Sequence, residues 1–394
     1  MPREKFDSPV PWGTLTGIRP TKVAEKLIIK GEDPQSVTHT LIDKYYVKPE
    51  RSMLCVEAAL AALRFKDTLL PRDIALYVGI PFCPTRCAYC SFVSNSVERS
   101  FKMIEPFTQT LLQEIKEMAE LTRELGLRII SVYIGGGTPT ALPETALESV
   151  MSALGNEFDL SNLREYTFEA GRADTITGEK LEIITRLGAK RICINPQSMS
   201  DTVLTAIGRN HNCADVYNAV DLVRKTDAKT NMDIIAGLPG DNLDGFKQTL
   251  DTVLSLNPEN ITVHTLSLKK GSRIMLENTV IPSGADVGEM LDYASLRLRE
   301  SKYAPYYIYR QKYISGGFEN TGWSLPGYEG IYNLCMMEEL CTVLALGGGG
   351  VTKLVTTDGR IERIFNAKFP REYIMMTEKM KYKTGRIREN AVSI

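Results

Sequence analysis

Residues 74–92 decide the fold of this chain, and they read Ile-Ala-Leu-Tyr-Val-Gly-Ile-Pro-Phe-Cys-Pro-Thr-Arg-Cys-Ala-Tyr-Cys-Ser-Phe. The apolar run from Ile74 to Ile80 predicts a short buried strand, which the following proline ends. Three cysteines come directly after it, Cys83, Cys87 and Cys90, with the spacing C-x3-C-x2-C. The sequence therefore predicts three thiols on one loop at the end of a buried strand.

This spacing of cysteines favours an iron–sulfur cluster. Three thiolates on one short loop can hold three irons of a [4Fe–4S] cube and leave the fourth iron open to a small molecule. A zinc site usually needs four ligands, commonly in C-x2-C pairs, and the sequence has no second pair. A disulfide with one spare thiol would suit a secreted domain, and three unrelated structural cysteines are the remaining alternative.

Strands and helices alternate through the middle of the chain. The predicted strands are 74–80, 127–134, 165–170, 190–195, 230–236 and 261–268. The predicted helices are 104–126, 143–155, 177–188, 200–224, 243–256 and 283–300. Short connections between such elements imply parallel strands with right-handed crossovers. We therefore predict an α/β fold, a partial (βα)6 TIM-like barrel.

Polar residues and glycines mark the ends of the predicted strands. Cys83, Gly136, Glu169, Gln197 and Asp233 each lie at or near such an end. A single polar residue there can be a helix cap, but the chemistry of parallel barrels gathers at the C-terminal ends of the strands. Five such residues on successive strands therefore predict one functional rim.

The glycine run 135–137 follows the second predicted strand. Glycines at that position permit tight turns and close approach of the backbone to a ligand. The run is not a Walker A motif, because no Gly-Lys-Ser/Thr follows it.

The composition excludes several classes of protein. The chain has 394 residues, 43% of them hydrophobic and 24% charged, with a net charge of −1. This balance predicts a globular protein that binds neither nucleic acid nor a membrane surface. No apolar run is long enough to span a membrane, and we see no signal peptide. Scattered cysteines and an oxygen-sensitive cluster predict the cytoplasm of a cell at low oxygen.

The cysteine motif, with an aromatic residue before its last cysteine, resembles the radical S-adenosylmethionine (radical SAM) superfamily. The segment Tyr-Val-Gly-Ile-Pro-Phe-Cys at 77–83 is similar to the oxygen-independent coproporphyrinogen III oxidase group, and the chain in detail resembles its HemZ branch. The motifs that carry this further likeness are Pro-Trp-Gly-Thr at 11–14, Pro-Gln-Ser at 196–198, Gly-Arg-Asn-His at 208–211, Asp-Ile-Ile-Ala-Gly-Leu-Pro-Gly at 233–240, Phe-Glu-Asn-Thr-Gly-Trp at 318–323 and Gly-Ile-Tyr-Asn at 330–333.

The resemblance implies two cofactors, a [4Fe–4S] cluster and S-adenosyl-L-methionine (SAM). It implies that Cys83, Cys87 and Cys90 bind the cluster that reduces SAM. The SAM contacts that it implies are Tyr77, Tyr89, Gly136, Gly137, Thr138, Glu169, Gln197, Arg209, Asp233 and Ser267.

The function that the resemblance implies is anaerobic haem biosynthesis. In this oxidase group, propionates of coproporphyrinogen III are oxidatively decarboxylated to vinyl groups, which gives protoporphyrinogen IX. Related proteins with the same core are haem chaperones, or act on other tetrapyrroles in haem degradation or methyl transfer. The partners that we expect are a tetrapyrrole, either coproporphyrinogen III or haem, and flavodoxin or ferredoxin as electron donor.

The two ends of the chain differ from the barrel repeat. We predict a helical N-terminal region at 1–72, the barrel at 73–300 and a C-terminal α+β region over the substrate at 301–394. The aromatic and cationic stretch 306–313 suits a flat tetrapyrrole with carboxylates, or alternatively an edge strand with core tyrosines. A second glycine run, 347–350, is expected near the cofactor or as a loose loop.

The chain also departs from the family pattern at two places. Phe92 stands where the best-known oxidases have a fourth cysteine. The N-terminal region is expected to be shorter than in other members of the family.

Overall fold

The structure is a computed structural model that describes residues 10–17, 19–90, 95–269, 271–356, 359–375 and 377–390. Within these residues the chain forms helices α1 (Thr21–Ile29), α2 (Pro34–Asp43), α3 (Pro49–Lys66), α4 (Val97–Glu124), α5 (Glu144–Glu157), α6 (Gly178–Arg186), α7 (Asp201–Ala206), α8 (Cys213–Arg224), α9 (Leu243–Ser255), α10 (Arg273–Leu276), α11 (Gly284–Glu300), α12 (Ile331–Glu338), α13 (Pro370–Ile374) and α14 (Thr377–Asn390). It forms strands β1 (Asp73–Ile80), β2 (Phe82–Cys83), β3 (Asn95–Ser96), β4 (Arg128–Gly136), β5 (Glu165–Gly171), β6 (Arg191–Gln197), β7 (Lys229–Ala236), β8 (Asn260–Thr265), β9 (Ala304–Tyr309), β10 (Asn320–Ser324), β11 (Thr342–Gly347), β12 (Val351–Val355) and β13 (Ile361–Phe365). None of the described helices is both long and apolar enough to span a membrane.

The chain divides into two compact units. The first unit comprises 1–68, 197–207 and 233–329, and the second comprises 69–196, 208–232 and 330–394. One boundary between them falls within β6 and another within β7. Because both units are discontinuous in sequence, the division into 1–72, 73–300 and 301–394 stays a prediction.

The second unit contains a largely parallel sheet with the strand order β13-β12-β11-β1-β4-β5-β6-β7. Strand β1 lies in the interior of this sheet and pairs in parallel with both β4 and β11. Nearly all of its residues are buried, which is why β1 is a continuous apolar run rather than an alternating one. The order does not close on itself, so the fold is a mixed α/β fold with an open sheet, as the sequence predicts.

Strand β11, which extends the sheet on the side of β1 away from β4, was not predicted from the sequence. Ile74 is in register with Thr342, and Tyr77 with Ala345. The predicted barrel began at β1 because the sequence of 342–347 does not indicate which strand it pairs with. Its partner β1 lies far away in the sequence.

The prediction of one helix over 200–224 was wrong. The chain forms α7 and α8 instead, and Gly208 between them has a φ of 72°, which a helix cannot contain. Helix α8 then starts afresh with a capping box, in which Asn212 and Asp215 satisfy each other's backbone N–H groups.

The first unit packs helices against the strand order β7-β8-β10-β9. Strand β10 pairs antiparallel with both β8 and β9, and helix α3 packs on β9. The N-terminal segment is fixed to this sheet by Trp12, whose Nε1 donates to Glu319 Oε2 at 2.8 Å. Arg51, which is 3% exposed, forms an ion pair with the other oxygen of Glu319 at 2.9 Å.

A buried polar cluster in the second unit holds the second glycine run. Glu114 is 1% exposed, and its Oε2 accepts a hydrogen bond from the backbone N–H of Gly347 at 2.8 Å. Its Oε1 accepts from Lys383 Nζ at 2.8 Å and from Asn366 Nδ2 at 3.2 Å, and the hydroxyl of Tyr373 donates to Oε2. A buried charge of this kind is stable only while its partners remain in place.

Lys383→Met is expected to lower the free energy of unfolding by about 3 kcal/mol, because it leaves the Glu114 carboxylate buried without a cation. Urea unfolding of the apoprotein measures this loss. The matched control is Lys381→Met, an exposed lysine of the same helix, which should change stability by less than about 0.5 kcal/mol. Equal effects of the two variants would contradict this account of the cluster.

Asp241 in the first unit gives a dependence of stability on pH. Burial raises the pKa of its carboxyl from 3.8 to about 6, although a backbone N–H of Asn242 opposes the rise. Because the folded-state pKa lies above the unfolded one, the folded state binds the proton more tightly, and this stabilisation is lost as pH rises through about 6. After allowance for partial exposure, Asp241→Asn should add about 1 kcal/mol at pH 8 and nothing below about pH 4. The exposed Asp244→Asn should show no such gain in the same urea titrations.

Candidate functional site

Three glycines lie side by side where strands β11, β1 and β4 end. Gly79 is in register with Gly347 on one side and with Gly135 on the other. The chain then passes through Pro81 into the cysteine loop, residues 83–90. The segment that leads to Cys83 is therefore bordered by the first glycine run, 135–137, and by the second glycine run, 347–350.

The second glycine run contacts this segment through its backbone. Gly348 N–H donates to Gly79 O at 2.9 Å. A Cβ on Gly79 would lie 2.5 Å from Gly348 O, and one on Gly348 would lie 2.6 Å from Pro81 Cγ. Because no side chain fits between the two strands here, the run is an ordered part of the site rather than a loose loop.

The first glycine run holds the other side of the same segment. Gly137 N–H donates to Ile80 O and Thr138 N–H donates to Phe82 O, each at 2.7 Å. A Cβ on Gly137 would lie 2.9 Å from Cys83 Sγ and 2.5 Å from Phe82 O. The resemblance implies that Gly137 and Thr138 contact SAM. The structure shows that both residues also fix the position of the first cysteine.

The three cysteines of the loop are all half-buried, and none of the chain's eight cysteines forms a disulfide. Thr138 Oγ1 donates to Cys83 Sγ at 3.5 Å. Among the described residues no three His, Cys, Asp or Glu side chains converge on a single metal ion. A cubane differs from such a site because its three thiolates each bind a different iron, so thiols spread along one accessible loop suit it.

Arg209 supports the other end of the cysteine loop. Its Nη2 donates to Tyr89 OH at 3.0 Å, and its Nη1 donates to Asn195 O at 2.7 Å and to Gly171 O at 3.3 Å. Burial raises the pKa of the Tyr89 phenol, and the Arg209 cation opposes that rise. Nη1 thus anchors Arg209 to the backbone, and Nη2 fixes Tyr89, the aromatic residue before Cys90. The buried Nε of Arg209 has no hydrogen-bond partner among the described residues.

Glu169 lies near the end of β5 beside the first glycine run. A Cβ on Gly135 would lie 2.6 Å from Glu169 Oε2, and Asn195 Nδ2 donates to Glu169 Oε1 at 3.1 Å. Since Asn195 O also accepts from Arg209, one set of contacts joins Glu169 to Tyr89. Asn195 was not predicted as a site residue, and its only signal in the sequence was its place next to the Pro-Gln-Ser motif.

The ring of Tyr77 is one of three stacked tyrosine rings. Its ring centroid lies 6.2 Å from that of Tyr133 and 5.7 Å from that of Tyr332, which are 4.4 Å from each other. Burial raises the pKa of the Tyr77 phenol, and the charge of Glu169 adds to the rise. Tyr133 and Tyr332 were not predicted, although each lies within or beside a motif that the sequence analysis singled out.

The remaining predicted residues belong to the first unit. Gln197 has a φ of 67°, is 7% exposed, and its Oε1 is buried without a hydrogen-bond partner among the described residues. Asp233 Oδ2 lies 3.4 Å from His264 Nε2, and the other ring nitrogen of His264 is 3.4 Å from Tyr309 OH. Ser267 Oγ donates to the carbonyl of Lys312 at 3.3 Å. A strained backbone with an unsatisfied amide, as at Gln197, is typical of a ligand site.

Of the two alternatives predicted for the stretch 306–313, the structure agrees with the edge strand with core tyrosines rather than with the tetrapyrrole wall. Tyr306 and Tyr307 are 2% and 3% exposed, so they are core residues of edge strand β9 and cannot stack on a ligand. Tyr309 is half-buried and Tyr313 is 64% exposed. Phe92, at the position of the fourth cysteine of the best-known oxidases, lies outside the described residues.

Comparisons with known proteins agree with this geometry. The radical SAM superfamily model matches residues 77–253. The oxygen-independent coproporphyrinogen-III oxidase-like protein HemZ of Bacillus subtilis (strain 168) is 38% identical over 374 residues, which are 92% of this chain and 74% of that protein. The heme chaperone HemW of Escherichia coli (strain K12) is 24% identical over 76% of this chain and 75% of its own length.

Among solved structures, the coproporphyrinogen III oxidase HemN from Escherichia coli, described as a radical SAM enzyme, matches with a TM-score of 0.63. The match covers 81% of this chain and 71% of that one at 20% sequence identity, so it shows a shared fold.

The fold and the cysteine loop define a radical SAM protein. The chain belongs to the HemZ-like family of oxygen-independent coproporphyrinogen-III oxidase-like proteins. Membership of the radical SAM superfamily implies a [4Fe–4S] cluster and SAM.

Gly137→Ala is expected to displace the cysteine loop, because its Cβ would lie 2.9 Å from Cys83 Sγ and 2.5 Å from a backbone oxygen. Anaerobic reconstitution followed by iron and sulfide analysis should show at least a several-fold loss of bound iron. The control is Gly155→Ala on helix α5, where a Cβ meets nothing within 4 Å and iron content should not change. Full iron content in Gly137→Ala would show that this close approach does not constrain the site.

Proposed function

We propose that this chain is a radical SAM enzyme of anaerobic haem biosynthesis that oxidatively decarboxylates propionates of coproporphyrinogen III, giving protoporphyrinogen IX. The observation that carries the proposal is the extent of the likeness to the HemZ-like relative. It covers 92% of the chain, whereas the superfamily match is confined to 77–253. Likeness that extends over the segments outside the shared domain supports a shared substrate as well as shared cofactors.

In this proposal Cys83, Cys87 and Cys90 each bind one iron of the [4Fe–4S] cluster. The half-buried thiols on a single loop and the lack of a disulfide support that role. Because the three thiolates bind only three of the irons, the fourth iron is open to SAM.

The proposed SAM site follows from the groups around the loop. Gly136, Gly137 and Thr138 bring backbone next to Cys83, where carbonyls can accept from the amino group of SAM. Glu169 offers a carboxylate to hydroxyls or to positive charge, and Asn195 orients it. Tyr77, Tyr89, Gln197, Arg209, Asp233 and Ser267 complete the SAM contacts that we propose.

When bound beside the reduced cluster, SAM supplies a 5′-deoxyadenosyl radical that can take a hydrogen atom from an unactivated carbon. The propionate –CH2–CH2–COO⁻ would give one hydrogen atom to that radical, which becomes 5′-deoxyadenosine. Loss of carbon dioxide, together with transfer of one electron to a one-electron acceptor of the same class as the donor, would leave the vinyl group –CH=CH2. The chain must therefore hold the propionate β-carbon next to SAM and keep water away. A low-potential one-electron carrier such as flavodoxin or ferredoxin is the donor we propose, in the cytoplasm.

The substrate in this proposal is a tetrapyrrole. The accessible rings on and after strand β9, Tyr309 and Tyr313, can contact a flat macrocycle.

A haem chaperone is the second candidate, because several relatives of this chain are described as heme chaperones, at 24% to 31% identity. A chaperone of this fold would bind haem stably and would not convert a porphyrinogen.

The deciding experiment is anaerobic reconstitution with iron, sulfide, reductant and SAM, followed by addition of coproporphyrinogen III. The proposal expects protoporphyrinogen IX, carbon dioxide and 5′-deoxyadenosine as products. Stable 1:1 haem binding with no vinyl product would overturn it in favour of the chaperone. SAM cleavage that depends on haem instead of the porphyrinogen would favour an enzyme acting on another tetrapyrrole.

Cys87→Ala is expected to abolish SAM cleavage, because it removes one of the three proposed iron ligands. The amount of 5′-deoxyadenosine, measured by chromatography after reconstitution, should fall to background. Cys213→Ala is the matched control, because Cys213 is also half-buried but lies on helix α8, and it should keep the activity of the unmodified chain. Retained cleavage in Cys87→Ala would contradict the assignment of the cluster.

A further inference from the structure

A buried arginine contacts the cysteine loop between its first two cysteines. Arg172 is 2% exposed and directly follows β5. Its Nη1 donates to Thr85 Oγ1 at 2.6 Å and lies 3.5 Å from Thr85 O, which also accepts from it. Thr85 is the middle residue of the three that separate Cys83 from Cys87.

The orientation of Arg172 is fixed by Asp174. Arg172 Nε donates to Asp174 Oδ1 at 3.0 Å, and Arg172 Nη2 donates to Oδ2 at 2.7 Å. This two-point contact uses the planar fork of the guanidinium, which a lysine cannot reproduce. Its third nitrogen, Nη1, is thereby aimed at the loop.

His211 lies behind the carboxylate. The side chain of His211 is fully buried, and its Nδ1 lies 3.6 Å from Asp174 Oδ1. Burial would raise the pKa of the Asp174 carboxyl, but its contacts with His211 and Arg172 lower that pKa below the ordinary value. The carboxylate therefore stays charged and keeps the arginine in place.

Each of the two intervals between cysteines is held by one arginine. Arg172 fixes the interval between Cys83 and Cys87 through Thr85, and Arg209 fixes the interval before Cys90 through Tyr89. The two meet at the end of β5, because Arg209 also donates to the carbonyl of Gly171. A loop whose intervals are both fixed before binding loses less conformational freedom when three thiolates take up the spacing of a cube.

We propose that Arg172 is a positioning residue for the iron–sulfur cluster, which holds the Cys83–Cys87 interval in its binding conformation. This inference rests on the proposed role of the three cysteines. Because Asp174 balances the charge of Arg172, removal of the arginine leaves a buried carboxylate uncompensated, which disfavours the reduced, more negative cluster and lowers the reduction potential.

The test compares the unmodified full chain with Arg172→Lys and Thr85→Val after anaerobic reconstitution. Arg172→Lys keeps the charge but cannot contact Asp174 at two points and Thr85 at once. Thr85→Val removes the accepting hydroxyl at similar volume and leaves the Arg172–Asp174 pair intact. The control is Arg186→Lys, a surface arginine that is 51% exposed and paired with Glu148.

Both loop variants should lose iron to a chelator about 10-fold faster than the unmodified chain, the size of effect common for groups that orient metal ligands. Arg186→Lys should lose iron at the rate of the unmodified chain. The electron paramagnetic resonance signal of the reduced cluster should also change in both loop variants, and a third variant, Arg172→Gln, should lower its midpoint potential. A residue that merely stabilised the fold would change urea unfolding and leave the signal and the potential unaltered.

The outcomes separate this inference from the proposed function. An unmodified chain that takes up no [4Fe–4S] cluster would overturn the assignment of the cysteines. Normal uptake together with unaltered iron loss, signal and potential in folded variants would overturn the role of Arg172 alone. Should the Arg172 variants fail to fold, the iron loss and the signal of Thr85→Val decide the matter.

Discussion

The site depends on the close backbone packing around residues 79–83. Gly348 and Gly137 donate hydrogen bonds to carbonyls on either side of this segment, at distances that leave no room for a Cβ. The first cysteine therefore emerges from a segment whose path is fixed by main chain rather than by side chains. Contacts between backbones vary less than contacts between flexible side chains, so this arrangement gives the thiol a reproducible position.

Buried charges then secure the elements that make this packing possible. Glu114 holds the second glycine run from beneath, and Arg172 and Arg209 hold the cysteine loop itself. Each of these charged groups has several partners, which offsets the cost of taking it out of water. Polar networks in the second unit thus hold the cysteine loop in place, whereas apolar packing stabilises the sheet.

The sequence allowed the strands β1, β4, β5, β6, β7 and β8 to be predicted, because buried parallel strands are apolar runs that end in glycine, proline or polar residues. It did not reveal β11 as the neighbour of β1, since pairing between distant strands leaves no local pattern. The break at Gly208 was missed although residues 208–212 carry no apolar side chain, so a local interruption of the apolar periodicity was available in the sequence. Tyr306 and Tyr307 were considered as ligand contacts because of the local composition. Consecutive residues of a strand point to opposite faces, so the burial of both shows that both faces of β9 are covered, which composition does not reveal.

Candidate site residues were predictable where a motif carries them, as with Cys83, Gly137 and Glu169. Arg172, Asn195 and Tyr332 were not, because their importance comes from partners that folding brings close, such as Thr85 or Tyr77. A polar residue after a strand looks the same in sequence whether it caps a helix or orients a loop.

The pairing of Ile74 with Thr342 has a consequence for folding during synthesis on the ribosome. Strand β1 is synthesised early, yet one of its two neighbours emerges only when most of the chain has left the exit tunnel. The segment that leads to Cys83 therefore lacks its contacts with the second glycine run until β11 has been synthesised. Such long-range pairing makes folding slow. We expect the iron–sulfur cluster to be inserted only after β11 has paired with β1, because the second glycine run then completes the backbone contacts of the segment that leads to Cys83.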